Sequence, residues 1–399
     1  MGDAGRKGVG DKVGRRLWPL KSEVLCAEAR RRTGLMDFGD PPLEPALSVL
    51  VNSLEQQVDL HPLGRFLLRS HLRDLLETRL RLAHAWKGHL DRLDALPTRR
   101  PIFITGMPRS GSTFLHELLA QDPDNRSPKV WEVMFPLPPG SGAQRARKAA
   151  ARLWWFRRLA PEADAVHPIR SNSPHECVAI QSYTFLSEEF VATCRVPDYQ
   201  TLLRSSDLRP VYAWEKRFLQ HLQWGSSEKR WLLKSPDHAY GLQALFSVFP
   251  DAQIVQTHRN PLEVLKSLIQ LTEVLQRLFA RPENCDEHGE REATALSAAM
   301  ERFIAFRDAR PELSSRFVDV NYFELVADPL AVVRRIYRQF DMPLSETAVE
   351  RMRQLTLQRS RYSGGRTALA LADMGLDVSA QASRFTGYCR RFGIPLPQA

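Results

Sequence analysis

Apolar residues recur at helical spacing from Ser22 to Arg32 and again from Pro45 to Val58, which predicts two helices near the start of the chain. From Leu63 to Leu93 the same spacing runs through Leu67, Leu68, Leu72, Leu75, Leu76, Leu80 and Leu82. That stretch predicts one long amphipathic helix whose Arg and His face is solvated. Ahead of these helices, residues 1–20 set Gly2, Gly5, Gly8, Gly10 and Gly14 among basic residues, the composition of a loose tail. Residues 21–98 are therefore expected to form a helical N-terminal extension, and residues 99–399 the main domain.

Beyond the extension the pattern switches to short unbroken apolar runs. Ile102 to Ile104, Trp231 to Leu233, Ala252 to Thr257 and the stretch around Phe317 to Val320 predict buried strands. Helical patterns follow them, through Phe114 and Leu118, Leu242 and Leu245, Val264 and Leu268, and Val333 and Ile336. Ser235-Pro236 reads as an N-cap followed by proline at the first helical position, and Pro261 opens a helix in the same way. Pro174 to Phe190, Val211 to Trp224 and Ala293 to Ala309 also read as helical, with Arg281 to Glu292 an exposed loop. Strands alternating with helices imply parallel pairing by right-handed crossovers, with ligands at the carboxyl ends of the strands. The fold class is α/β with a central parallel sheet.

Composition narrows the partners. The 399 residues carry a formal net charge of +10, which suits anionic ligands. Lys and Arg are spread along the whole chain, and neither zinc-finger spacing nor a basic zipper is present, so nucleic acid is not the expected partner. Cys26, Cys177, Cys194, Cys285 and Cys389 are odd in number and widely spaced, which reads as free thiols in a reducing compartment. No apolar run reaches the length of a membrane span and the N-terminus lacks a signal-peptide core, so the expected location is cytoplasmic. One local bias stands out: Arg145 to Leu159 interleaves six cations with Leu153, Trp154, Trp155 and Phe156. Such a helix packs with its Arg stems over an apolar stripe, lies on a membrane surface, or covers an anionic site.

The chemistry concentrates first at Pro101 to Ala120. A strand meets a turn containing Gly106, Pro108 and Gly111 and re-enters a helix, so unpaired N–H groups and the helix dipole converge on an anion. Gly106 and Gly111 have phosphate-loop spacing, but Ser112 stands where a nucleoside-triphosphatase carries Lys. The cation lies inside the loop, at Arg109. A turn capped by Ser110 or Ser112 that binds nothing is the plain alternative. The second concentration is Gln253 to Ser267, where Arg259 follows a strand end and Ser267 lies two turns into the next helix, facing the same crevice. A guanidinium fork and a hydroxyl suit a phosphate.

Pro108-Arg109-Ser110-Gly111-Ser112-Thr113 resembles the 5′-phosphosulfate loop of sulfotransferases, which use 3′-phosphoadenosine-5′-phosphosulfate (PAPS). Arg259-Asn260-Pro261 with Ser267 resembles the element by which that family holds the 3′-phosphate. Leu233-Lys-Ser-Pro236, His258-Arg-Asn-Pro261 and Tyr322-Phe-Glu-Leu-Val-Ala-Asp-Pro329 are similar to stretches of the broad bacterial-type branch. So is the tail through Arg361-Tyr-Ser-Gly-Gly-Arg366 and Tyr388. The resemblance implies a three-layer phosphate-loop-type sandwich and PAPS as cosubstrate without a metal. It implies cofactor contacts from Pro108 to Thr113, at Arg259 and Ser267, and from a covering segment at Arg361, Gly365 and Arg366. Arg109 would hold the 5′-phosphate and bridging oxygen, and Lys234 would reach the sulfuryl group. Relatives differ in the base: Glu132, following Asp122-Pro123-Asp124, is the first candidate, His238 the second, with Glu176 and His175 behind them. A carboxylate in an apolar pocket beside Trp131 would have its pKa raised to a useful value.

The leading expectation is a sulfotransferase acting on a hydroxyl or amine of a small-molecule, lipid or glycan acceptor. A phosphate-loop small-molecule kinase and a non-catalytic nucleotide-binding protein are the alternatives. The sequence leaves the acceptor and the oligomeric state open.

Overall fold

The four apolar runs all form strands, and a two-residue strand joins them that the apolar pattern does not reveal. They are β1 (Ile102–Gly106), β2 (Asn125–Arg126), β3 (Arg230–Lys234), β4 (Gln253–His258) and β5 (Phe317–Asn321). The computed structural model describes residues 14–138, 142–166, 168–282, 285–360 and 371–395. All neighbouring strands are parallel, in the order β2-β3-β1-β4-β5. Ile104 pairs with Lys234 on one side and Val255 on the other, and Gly106 with Thr257. This register brings the carboxyl ends of β1, β3 and β4 to one edge of the sheet, where ligands bind in such folds.

Side chains alternate across a strand, and the two faces bury different sets. Ile102 and Ile104 join Val255, Val320 and the helices of the C-terminal half on one face. Phe103, Leu233 and Ile254 join the other core, which also contains the apolar residues of the N-terminal helices. The result is a three-layer α/β sandwich.

The helices that matter below are α1 (Ser22–Thr33), α2 (Ala46–Gln56), α3 (Pro62–Trp86), α4 (Ser112–Leu119), α5 (Val130–Met134) and α6 (Ala143–Leu159). They continue with α7 (Val178–Gln181), α8 (Glu188–Thr193), α9 (Arg209–Gln223), α10 (Pro261–Arg277), α11 (Cys285–Ala309) and α12 (Pro329–Gln339). Three expectations change. The long N-terminal helix stops at Trp86, because Gly88 takes φ 78° and breaks the chain before a separate five-residue helix at Leu90–Asp94. Pro174 to Phe190 is not one helix. His175 N–H bonds to Pro128 O in extended backbone, and Phe185 at φ 60° separates α7 from α8. The acidic stretch Arg281 to Glu292 is not a loop throughout: α11 starts at Cys285 and buries Ala293, Leu296 and Met300 against the core.

The face of α3 that reads as solvated is also partly interior. Arg79 is fully buried and donates to the carbonyls of Phe38 (2.9 Å), Gly39 (3.0 Å) and Tyr183 (2.8 Å), with a further bond to Pro41 O. Its guanidinium lies 4.8 Å from the Trp214 ring on α9. Burial pulls its pKa down to about 9, and the carbonyl partners replace the water it loses. One side chain thus ties residues 38–41 to Tyr183 and Trp214, far along the chain. The four cysteines whose side chains are described, Cys26, Cys177, Cys194 and Cys389, are free thiols.

Candidate active site

The loop after β1 is held by close backbone approach. Gly106 has φ 123°, and a Cβ there would sit 2.3 Å from Thr257 O. Gly111 has φ 89°, and its Cβ would meet Tyr322 Cδ2 at 3.0 Å. Both positions need glycine for conformation and for space. Arg109 adopts φ 61° between them, a left-handed conformation that costs a non-glycine residue energy and turns its side chain out of the loop. Ser110 is fully buried. Its hydroxyl bonds to Met107 O and lies 2.6 Å from Thr257 Oγ1, so it braces the loop against β4. Gly111 caps α4, and the N–H groups of Ser112 and Thr113 open the helix toward the crevice.

The second motif meets the first. Arg259 Nη1 donates to Arg109 O at 3.0 Å, and Arg109 Nε donates to Ser267 Oγ at 3.0 Å. The Arg259 guanidinium lies 4.2 Å from the Tyr322 ring centroid, while its buried Nε finds no hydrogen-bond partner among the described residues. Burial first, and then the like charge of Arg259, hold the Arg109 pKa below its usual value. Two guanidiniums gathered beside a helix N-terminus, one with an unsatisfied buried donor, form a site whose charge an anion would compensate. Pro108, Arg109, Gly111, Ser112, Thr113 and Arg259 all line one cavity. Arg361, Gly365 and Arg366 lie outside the described residues. Beyond them the tail packs onto the same motif: Tyr388 OH lies 2.8 Å from His258 Nδ1, and Asn260 Nδ2 donates to Pro395 O at 2.9 Å.

Lys234 closes β3 and is 3% exposed. Its ammonium bridges Thr113 Oγ1 at 3.3 Å and Glu176 Oε1 at 2.5 Å. Glu176 is held there because the next residue, Cys177, donates its backbone N–H to Lys234 O at 2.9 Å. The candidates for the base separate at this point. Val130, Val133 and Met134 of α5 line the cavity, but Glu132 does not. Two residues on from Val130 it lies roughly 200° round the helix. Its carboxylate accepts from Lys129 N at 2.9 Å in a capping box and meets Arg126 Nη2 at 3.4 Å. His238 is also turned away from the cavity. Its ring is fully buried against Phe103 and Tyr212, with Nδ1 2.9 Å from Tyr212 OH. Burial pushes its pKa down to about 3, which leaves it neutral. Glu176 and His175 line the cavity, together with Asp237 and Glu188. Burial raises Asp237 to about 6 and Glu188 to about 7.

The cavity has a volume of about 1340 Å³, above the roughly 300–1,000 Å³ of ordinary ligand pockets. It continues from the loop crevice into a chamber whose wall is mostly apolar, with Leu67, Val133, Phe156, Val178, Leu271 and Met300, and also carries charged side chains such as Asp74, Glu189 and Arg204. Tyr322, which stacks on Arg259, and Thr257, which braces Ser110, support the crevice at positions that the motifs bring near without assigning a role. The signal for Tyr322 is its place directly after β5, next to an Asn321 side chain that caps the following turn.

A profile of the sulfotransferase family matches residues 101–346. Sulfotransferase STF1 from Mycobacterium tuberculosis H37Rv is 32% identical, with a TM-score of 0.81 over 92% of this chain and 98% of its own. Sulfotransferase STF9 from Mycobacterium avium is 28% identical, with a TM-score of 0.82 over 95% of this chain and 98% of its own. The omega-hydroxy-beta-dihydromenaquinone-9 sulfotransferase Stf3 of Mycobacterium bovis is 25% identical across 66% of this chain and 68% of its own length.

Proposed function

Because the chain belongs to the sulfotransferase family, we propose that it moves the sulfuryl group of PAPS to the hydroxyl of an extended apolar acceptor. The observation that carries the acceptor class is the apolar chamber that opens directly from the loop crevice. An alkyl or prenyl chain would bury its surface against the apolar part of that chamber's wall. The named acceptor of the Stf3 relative, a hydroxylated dihydromenaquinone, is an apolar alcohol of this kind.

PAPS supplies an activated sulfuryl group on a bridging phosphate oxygen. The loop N–H groups and Arg109 bind and orient the 5′-phosphate end, and Arg259 with Ser267 binds the 3′-phosphate. Tyr322 keeps the Arg259 guanidinium in place by stacking on it. Lys234 aims its ammonium across the crevice from the end of β3 and stabilises charge on the bridging oxygen as that oxygen departs. Glu176, already at Lys234, takes the proton of the attacking hydroxyl. Its protonation weakens its hold on Lys234 and frees that cation for the leaving oxygen. Glu132 is kept out of this role by its cap and its Arg126 contact, and His238 by its position behind the cavity wall. No charge in this scheme requires a divalent ion, since fixed cations and N–H groups surround the crevice.

Two measurements test the reading. Calorimetry is expected to give binding of adenosine 3′,5′-bisphosphate in preference to ATP with magnesium, weakened in Arg259→Ala by about 2 to 4 kcal/mol. Unchanged affinity in a folded variant would remove Arg259 from the site. Mass spectrometry of reactions with PAPS is expected to find sulfate added to long-chain alcohols, and loss of turnover with retained nucleotide binding in Glu176→Gln. Sulfation confined to glycans would overturn the acceptor class.

A further inference from the structure

Helix α6 carries a surface that the reaction above leaves unused. Its seventeen residues include six cations and no acidic residue. Trp154, Trp155 and Leu159 are 48%, 62% and 61% exposed. The two indole rings touch edge to face at 4.8 Å, and the Arg158 guanidinium lies 5.4 Å from the Trp154 ring. Arg147, Trp154 and Arg158 fall at i, i+7 and i+11, one stripe of the helix. Among the described residues no carboxylate pairs with Arg147, Arg157 or Arg158. The first turns of α3 add Leu63 at 51% and Phe66 at 44% exposure. Large apolar side chains standing in water among cations that lack carboxylate partners mark a surface that is covered in use.

The position of this patch identifies what covers it. Trp155 and Leu159 of α6 and Leu63 of α3 are exposed and also line the cavity that the crevice opens into, so the patch borders that cavity. Tryptophan, leucine and arginine on one short helix suit the headgroup layer of a bilayer. There the rings sit between headgroup and chain, and the guanidiniums meet phosphate. No helix among the described residues is long and apolar enough to cross a membrane, which leaves contact in the plane of the surface. We propose that α6 and the start of α3 dock on a bilayer carrying anionic lipid headgroups, with the bordering side of the cavity against the lipid. An apolar alcohol then enters from the bilayer without its chain crossing water. The purpose of the docking rests on the acceptor class proposed above, while its physical basis, the exposed stripe, does not.

Vesicle sedimentation separates the two. The full chain is expected to bind vesicles of phosphatidylcholine with phosphatidylglycerol, and to bind phosphatidylcholine alone much less. The attraction should fall with added salt, and indole fluorescence should shift to the blue on binding. The triple variant Trp154→Ala, Arg147→Glu, Arg158→Glu alters no residue of the cavity wall. It is expected to lose on the order of tenfold or more in vesicle affinity, with unchanged affinity for adenosine 3′,5′-bisphosphate and unchanged turnover of a detergent-dispersed alcohol. Failure of the wild-type chain to bind either vesicle, or equal binding by wild type and variant, would overturn the docking surface even if dispersed alcohols are sulfated. Binding to anionic vesicles without sulfation of any apolar alcohol would sustain the surface and overturn the acceptor class instead.

Discussion

The loop crevice and the apolar chamber share one opening but are assembled from different kinds of element. The crevice uses the ends of three neighbouring strands, where register alone fixes Gly106 against Thr257 and Ile104 against Lys234. Its side chains are tied to one another: Arg259 to Arg109 O, Arg109 to Ser267, Ser110 to Thr257 and Lys234 to Thr113. The chamber uses α3 from the extension, α5 to α8 from the middle of the chain, and α10 and α11. Its walls are held by packing and by a few long-range anchors such as Arg79. Hydrogen-bonded backbone tolerates little displacement, whereas apolar walls accept volume-conserving change. A fixed reagent at one end and a variable acceptor at the other would place just these demands on the two regions.

Substitutions can break the contrast or sharpen it. The largest effect is expected at the crevice. Lys234→Ala should lower kcat by on the order of 10² to 10³-fold while nucleotide affinity changes little, and a fall in affinity alone would give Lys234 a binding role instead. Gly111→Ala asks whether backbone conformation governs the crevice. The added Cβ at φ 89° faces the Tyr322 ring, so a loss of about 1 to 3 kcal/mol in bisphosphate affinity or in stability is expected by calorimetry and urea unfolding.

The chamber should respond more gently and in a different observable. Leu67→Trp reduces the space beside α3 and is expected to cost roughly tenfold in kcat/KM for the longest alcohols, with short ones and nucleotide binding unaffected. An equal loss for every chain length would mean that Leu67 does not bound the acceptor. Behind the chamber, burial raises the pKa of Glu215 on α9 to about 7 from an ordinary 4.5. The folded state therefore holds this proton where the unfolded state has released it. The contribution of Glu215 is complete below about 4.5 and declines as pH rises toward 7. Glu215→Gln should flatten the urea-unfolding stability profile across that window relative to wild type, and parallel profiles would show that the group is solvated.

The same contrast explains which parts of the site are legible in the sequence. The crevice can be read from residue order because its conformation is local: a glycine at each end of a turn, an arginine one residue past a strand, a serine two turns into a helix. Each of these is specified within a few residues. The candidates for the base cannot be ranked that way, since Glu132 and His238 lie near the motifs in sequence but do not line the cavity, whereas Glu176 does. A side chain on a five-residue helix or a 3₁₀ turn is directed by what packs behind it. Glu176 reaches the crevice through a backbone bond from Cys177 to a strand that begins more than fifty residues later.

Residue order alone established four of the five strands, their parallel pairing, the loop conformation and the two cation-bearing motifs, because period, glycine and proline act over short spans. Three-dimensional packing settled the remainder. It turned Arg79 inward, broke Pro174 to Phe190 into pieces, ran α11 through a stretch of acidic residues and opened a chamber between helices remote in the chain. Such features depend on which surfaces meet, and burial energy is set by the partner as much as by the residue that is buried.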